Sequence, residues 1–363
     1  MRIVIDFRIF STKAGGLGRY NQEFLNELKK LDQSNEYILL FKENPKIDLP
    51  ANFKIQICDC HWYGLKEQIV LPWLLYKLKA DLVHFPHFNV PIFYFGKFVV
   101  TIHDLIMTKF PSRKASTLNI FLFRIKYYFY QLVIRQAVKK SKIIIAVSKF
   151  TANDIREYFK LTDKEAQKIK VVYEGLSTYI DSSKKALKLP QNYFLYVGNA
   201  YPHKNLEFLI KVFKEFWQKH PEYYLILVGH KNYFYEKLAK NVDCPNLIFT
   251  GHAEDDELAS YYKNAKAYIF PSLYEGFGLP PLEAMSYGLP VLSSTSSSLP
   301  EILGHSALYF DPQDRDDLKK KMSDIVSDEA LRDNLIKAGY RQIDKYSWSK
   351  MAEEILDIYK KIN

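Results

Sequence analysis

Cysteine is scarce in this chain. Cys58, Cys60 and Cys244 are the three present, and their spacing fits neither a zinc site nor a redox pair. No N-terminal segment shows the charged, then apolar, then small-residue order of a signal peptide, so a reducing cytoplasm is the expected compartment. Long apolar runs are also missing. The most apolar stretch, Val90 to Ile102, is too short to cross a bilayer, is interrupted by Pro91, Gly96 and Lys97, and reads as a buried strand. No short repeat stands out, and the serine-rich "SSTSSS" at Ser293 to Ser298 reads as a polar loop and helix cap.

What is present is ordinary globular protein: 48 % apolar and 25 % charged residues. Single hydrophobic cores rarely grow beyond roughly 250–300 residues, so the 363 residues here imply two domains. A net charge of +10 suits an anionic partner, which at this level is nucleic acid, a phospholipid surface or a phosphate-bearing substrate, or reflects only a basic proteome.

The chain opens on "RIVIDF", a buried-strand pattern, and passes through "GGLGRY" into a segment with Tyr20, Phe24, Leu28 and Leu31 on one helical face. Further runs, "EYILLF", "DLVHF", "KFVVTIHD" and "KIIIAVS", are apolar throughout, as strands covered on both faces of a parallel sheet are. The periodic pattern stops over residues 176–190 and resumes as "YFLYVG", "YYLILVG", "NLIFTG", "KAYIF", "PVLSS" and "ALYF", separated by amphipathic helices such as Leu206 to Trp217. The expectation is an α/β protein of two Rossmann-like, doubly wound parallel-sheet domains, 1–180 and 190–345, with the ligand in a cleft between them at the carboxyl ends of the strands.

Three stretches carry chemistry. Gly15, Gly16, Gly18 and Arg19 lie between a strand and a helix, where backbone N–H groups attract a phosphate or a glycan oxygen, or simply make a tight turn. The dinucleotide fingerprint fails there, because its third glycine is Asn21, which disfavours a nicotinamide dehydrogenase. "VGNAYPHKNL" repeats the geometry, with Gly198, Asn199 and then Lys204 at the mouth of a helix expected to be capped by Asn205. "EGFGLPPLE" places Glu275 beside Gly276, Phe277, Gly278 and Leu279 on a strand-end loop, with Pro281 in the first helical turn and Glu283 near its third position. Glu283 has a structural explanation as an acid facing the helix macrodipole. Glu275 has none.

"EGFGLPPLE" resembles the Glu, seven residues, Glu signature of retaining glycosyltransferases of the GT-B fold, family 4 (glycosyl transferases group 1), of mannosyltransferase type. The flanks "TGHAEDDELASYYKNAKAYIFPS" and "EAMSYGLPVLSSTSSSLPEILGHSALYFDP", the loop "VGNAYPHKN", and "GGLGRY", "TIHDLI" and "AVSKFTANDI" in the first half are similar to that family as well, so the resemblance covers nearly the whole chain.

The resemblance implies a nucleotide-sugar donor, with a lean towards GDP-mannose, held by the second domain, and a glycan or lipid-linked acceptor held by the first, in cell-surface polysaccharide assembly. It implies that Glu283 takes the donor's ribose, that Glu275 and the N–H groups of Phe277 and Gly278 take the transferred sugar, and that Lys204 meets the diphosphate. The Gly15 to Gly18 loop would close over the donor and His103 would lie beside the reacting sugar. Retention by front-side attack is implied, with no positioned nucleophile. Many members carry arginine where this chain has Asn199, which leaves Lys204 as the main cation with Arg19 or His203 as helpers. The last helix, around 347–362, would cross back to the first domain.

Asp314, Arg315 and Asp316 form a D-x-D pattern that reads as a helix cap, so neither metal nor cofactor is expected, and the nucleotide-sugar is a substrate. Nucleic acid is not expected as a partner. The segment 121–140, "FLFRIKYYFYQLVIRQAVKK", interleaves basic and aromatic residues and reads either as core packing or as peripheral contact with an anionic membrane on the inner face of the cell. The alternatives to transfer are a nucleotide-sugar epimerase of the same fold and a non-catalytic sugar-nucleotide-binding protein.

Overall fold

The computed structural model describes residues 1–10, 15–111, 120–176, 187–240 and 242–362. The chain divides into two units, Met1–Gly175 with Ser347–Asn363, and Leu176–Tyr346. The interruption expected over 176–190 falls largely on 177–186, outside the described residues.

The first unit runs β1 (Arg2–Asp6), α1 (Gly16–Leu31), β2 (Glu36–Phe41), β3 (Phe53–Ile57), α2 (Leu65–Lys77), β4 (Leu82–Phe85), β5 (Phe98–Ile102), α3 (Ile106–Lys109), α4 (Ile120–Lys140), β6 (Ile143–Ala146), α5 (Lys149–Tyr158), α6 (Asp163–Ala166) and β7 (Ile169–Val171). Its seven strands are all parallel, in the order β3-β2-β1-β4-β5-β6-β7. Strands buried on both faces read as continuous apolar runs, and β4 and β5 are buried at every position. Tyr20, Phe24 and Leu28 of α1 pack inward as their spacing predicts, while Leu31, at the helix end, is exposed.

The second unit runs β8 (Tyr193–Val197), a 3₁₀ turn (Pro202–Lys204), α7 (Leu206–Trp217), β9 (Tyr224–Val228), α8 (Tyr233–Lys240), β10 (Leu247–Gly251), α9 (Asp255–Asn264), β11 (Ala267–Phe270), α10 (Leu279–Ser286), β12 (Val291–Ser294), α11 (Leu299–Leu303), β13 (Ala307–Phe310), α12 (Arg315–Ser327) and α13 (Glu329–Ile343). The six parallel strands are ordered β10-β9-β8-β11-β12-β13. That is the 3-2-1-4-5-6 order of a doubly wound nucleotide-binding sheet, whose strand order reverses between its first and fourth strands, here β8 and β11.

Helix α14 (Trp348–Ile362) follows the second unit in sequence and packs on α1 of the first. The Tyr359 hydroxyl lies 2.5 Å from His84 Nδ1 at the centre of β4, and His84 Nε2 is 2.9 Å from Thr101 Oγ1. Burial holds the His84 pKa down at about 3, so this ring is a neutral core group. A Cβ on Gly175 would collide with the Trp348 backbone and ring.

Two expectations need correction here. The apolar stretch from Val90 becomes strand only at Phe98, because Pro91 and Gly96 interrupt it; Phe93 and Phe95 within it are exposed. The serines at 293–298 do more than cap a helix. Ser298, at the N-terminus of α11, makes no side-chain cap, and its Oγ donates to the carbonyls of Glu275 and Phe277 at 3.0 and 3.1 Å.

Candidate active site

At the carboxyl end of β8 the chain turns through Gly198, at φ 150°, where a Cβ would meet the Tyr196 hydroxyl at 2.8 Å. Three buried tyrosines hold this turn from beneath. Tyr268 donates to the Val197 carbonyl at 3.1 Å, Tyr235 to Gly198 at 2.8 Å and Tyr196 to Asn199 at 2.7 Å. In a planar trans peptide the carbonyl of one residue and the N–H of the next point in opposite directions. The N–H groups of Asn199 and Ala200 are therefore aimed away from the tyrosines, and neither has a partner among the described residues. The Asn199 side chain folds back onto its own loop, its Oδ1 accepting the Tyr201 N–H at 3.3 Å.

Lys204 follows in the 3₁₀ turn rather than at the mouth of α7. Asn205, left-handed at φ 59°, joins the two, and its side chain does not cap α7 as expected but donates to the Pro312 carbonyl at 3.0 Å. Lys204 Nζ lies 2.5 Å from Glu275 Oε1 and 5.2 Å above the Phe270 ring, at the end of β11. Only 12 and 10 % of the two side chains is exposed. The two strands flanking the reversal of strand order thus deliver one cation and one carboxylate to the same point. His203 beside them is buried, and burial, with the nearby Lys204 charge, holds its pKa down at about 4 against the partial opposition of Glu275. It is neutral near pH 7 and adds no positive charge.

Glu275 is positioned by its backbone. Its N–H donates to Ser297 Oγ at 2.8 Å and its carbonyl accepts from Ser298. Gly278, at φ 101°, lets the loop pass within reach of Leu299, whose Cδ2 would stand 2.8 Å from any added Cβ. Helix α10 then begins at Leu279, two residues earlier than Pro281 suggests, because two prolines are tolerated in a first turn that needs no N–H donors. Glu283 is its fifth residue, and the first turn holds no acid. Macrodipole stabilisation fades beyond that turn, so it does not explain Glu283. Its buried carboxylate accepts from the Tyr262 hydroxyl at 3.2 Å, with Tyr262 stacked on Tyr287.

In the first unit, Gly15 precedes α1 at φ 71°, its carbonyl accepts the Arg19 N–H at 3.2 Å, and a Cβ on Gly15 or Gly16 would meet nothing within 4 Å. Gly18 is buried in the first turn. His103, after β5, places Nδ1 2.8 Å from Glu174 Oε1 and Nε2 2.9 Å from the Pro86 carbonyl. Burial favours the neutral ring, but the Glu174 bond and charge, with the Pro86 carbonyl, outweigh it and raise the pKa. The Pro86 carbonyl can only accept, so Nε2 carries a hydrogen, and the Glu174 carboxylate at Nδ1 favours the protonated form of His103. Its ring meets Tyr20 edge-on at 4.7 Å.

Both halves of the chain match family models. Residues 179–342 match Glycosyl transferases group 1, and residues 14–179 match Glycosyltransferase Family 4. The chain belongs to the group 1 glycosyltransferases. The enzyme is 27 % identical to O-antigen chain mannosyltransferase B of Escherichia coli, over 99 % of this chain and 100 % of the relative. In fold the glycosyltransferase is similar to sucrose-phosphate synthase from Thermosynechococcus elongatus, at TM-score 0.78 and 19 % identity over 100 % and 99 % of the two chains. It is likewise similar to Anabaena HepE in complex with UDP and glucose, at TM-score 0.74 and 15 % identity over 99 % of each chain. Its two parallel-sheet units are those of the GT-B fold.

Several groups around the glycosyltransferase's site were not singled out from sequence. Tyr196 bonds Asn199 only three residues on, whereas Tyr235 and Tyr268 under the Gly198 turn, the serines bracing Glu275, Tyr262 and Glu174 act through contacts distant in sequence. So does Arg8, buried after β1 between Asp6 at 2.7 Å and Glu67 at 2.6 Å. The D-x-D acids have local duties: Asp314 accepts the N–H groups of Asp316 and Asp317 as the cap of α12, and Asp316 pairs with Lys319 at 2.7 Å.

Proposed function

We propose that this glycosyltransferase moves a sugar, with retention and without a metal, from a nucleoside diphosphate sugar to a glycan hydroxyl in polysaccharide assembly. The observation that carries the proposal is that, after β8 at the reversal of strand order, the chain presents two N–H groups without a partner among the described residues, Asn199 and Ala200, followed by Lys204 in the 3₁₀ turn. Anions are favoured by backbone N–H donors of this kind on a strand-end loop. The name of the Escherichia coli relative supports mannose as the transferred sugar, and the HepE complex supports a nucleotide at this kind of site. GDP-mannose is the first donor to test.

In this reading the bond between the anomeric carbon and the diphosphate oxygen breaks as negative charge gathers on the phosphate. The bond to the acceptor oxygen forms on the same face, and the acceptor proton passes to the leaving phosphate. Lys204 has three N–H donors. One stays with Glu275, and the others meet the phosphate, stabilising a charge that is larger in the transition state than in the ground state. Glu275 accepts hydroxyls of the sugar with its remaining lone pairs, and Glu283 exchanges the Tyr262 hydroxyl for those of the ribose. His103, whose ring nitrogens are taken by Glu174 and the Pro86 carbonyl, acts in this reading through its position and charge and not as a base.

The test is a thermal-shift screen against GDP-mannose, UDP-glucose and ADP-glucose, followed by transfer to lipid extracts. A bound donor raises the melting temperature by mass action. No shift, hydrolysis or transfer with any of the three donors overturns the proposal, as does acceptor-free epimerisation.

A further inference from the structure

A buried charge needs partners, and those of Arg8 tie together the carboxyl ends of three strands of the first sheet. Its guanidinium meets Asp6 at the end of β1 at 2.7 Å, Glu67 of α2 at 2.6 Å and the Cys60 carbonyl after β3 at 3.3 Å. Glu67 accepts in turn from the Asn89 side chain after β4 at 2.8 Å and from the Tyr63 N–H at 2.9 Å. Tyr63 stands at φ 60°, a left-handed conformation that a bulky residue rarely adopts. Such strain persists only where the surroundings over-determine it, and it clusters at functional sites.

Beside this scaffold three buried polar atoms have no hydrogen-bond partner among the described residues: Trp62 Nε1, His87 Nδ1 and Asn89 Oδ1. Asn89 is 2 % exposed, and the half-buried rings of Trp62 and His87 lie 5.1 Å apart, with Arg8 5.7 Å from the Trp62 ring. Buried polar groups in folded proteins are nearly always paired, because an unmet donor or acceptor is destabilising. A cluster of three therefore points to bonds made with something outside the chain. The atom types say what it is. Trp62 Nε1 only donates, Asn89 Oδ1 only accepts, and His87 Nδ1 does either according to its tautomer. The hydroxyls of a sugar, each both donor and acceptor, match that set, and the exposed Tyr63 ring adds an apolar face for a pyranose.

Charge narrows the class. Arg8 is already matched by two carboxylates, while burial, with the charge of nearby His103, holds the His87 pKa down at about 3 and keeps its ring neutral. The cluster has no spare cation, so an acidic sugar would shed its hydration with no opposite charge to meet. The cluster also adjoins the site already described, since His103 Nε2 bonds the carbonyl of Pro86, the residue before His87. We infer that Trp62, His87 and Asn89 form a subsite that takes one uncharged pyranose of the acceptor glycan and excludes acidic sugars, with Arg8 and Glu67 as positioning residues. The sugar reaches these atoms by turning the half-buried Trp62 ring, whose N–H has no bond to break. The inference deepens the transfer reading and rests on it for the role of the bound sugar as acceptor.

The experiment is saturation-transfer NMR of the full chain, without donor, against the methyl glycosides of mannose, glucose and galactose and the matching methyl uronides. At least one neutral glycoside should bind, with a Kd at least about tenfold below that of its uronide. Trp62→Phe keeps a ring but deletes the N–H; it should weaken that binding about fivefold or more, with the melting temperature held because no bond is lost. His87→Phe should weaken it likewise. In transfer assays the same glycoside should compete with the acceptor and not with the donor. Binding by no neutral glycoside, equal binding of the uronide, or competition with the donor overturns the inference. Unchanged affinity in Trp62→Phe also overturns it, a lower melting temperature then pointing to a bridging water at the indole. Donor binding and transfer without glycoside binding sink this inference alone, whereas glycoside binding without either sinks the transfer reading.

Discussion

Lys204→Met is the most informative perturbation, because the Lys204–Glu275 pair joins stability to catalysis. Removing one partner of a buried pair leaves an uncompensated charge, at a cost of about 3–5 kcal/mol. With roughly a tenth of each side chain exposed, the lower end applies, about 3 kcal/mol, which in a domain of this size lowers the melting temperature by roughly 6–12 °C. Glu275→Gln in the same chain removes the stranded charge and should recover most of that loss. Transfer should not recover, since no cation then faces the diphosphate, and a loss of about 10²–10³ in turnover is expected, as for removal of one preorganised donor. Thermal unfolding and radiolabelled sugar transfer, measured on the two single variants and the double variant, give the cycle. If the double variant regains both melting temperature and turnover, the pair is structural and the assignment of Lys204 to the diphosphate is wrong.

Glu283→Gln should weaken donor affinity by about 10-fold or more, the worth of a hydrogen bond to a charged group, with a smaller change in turnover; calorimetric titration with the donor checks this, and an unchanged affinity removes Glu283 from the ribose. Stability should also fall in acid. His84 and His203 titrate near 3 and 4 in the folded chain against 6.5 unfolded, so below pH 6.5 the unfolded state takes up protons that the native state cannot, and stability present above 6.5 is lost as pH falls. Each group removes about 1.4 kcal/mol per pH unit within that window. His103, whose pKa is raised, acts oppositely, with its contribution complete below 6.5 and lost at higher pH. Urea unfolding from pH 7.5 to 4.5 should show the fall below 6.5, and a flat profile there contradicts the burial of these rings as neutral groups.

The six strands of the second sheet are legible as apolar runs; β11 and β12 are buried at every position, and the edge strands β10 and β13, though only half-buried in part, keep their apolar residues. Edge strands β3 and β7 escape notice, since Lys54 and Lys170 break their patterns on exposed faces. Glu275 is legible as a carboxylate among glycines that stabilises no helix. Lys204 is legible as a helix-flanking cation, but its pairing with Glu275 is not, because the two lie 71 residues apart and only the strand order brings them together. The depth of Glu283 in α10 is misjudged because the proline pair hides where the helix starts. The tyrosines beneath Gly198 look like ordinary strand aromatics until their hydroxyls are placed.

Helix α14 sets an order on synthesis. The groove on the first unit that takes Trp348 and Tyr359 is complete only after all of the second unit has been translated. Until then the α1 surface that meets α14 is bare, so a nascent first unit offers chaperones an apolar seam while the second can already close on its own contacts. Ribosome-stalled chains ending before Ser347 should therefore present a protease-sensitive first unit and a resistant second.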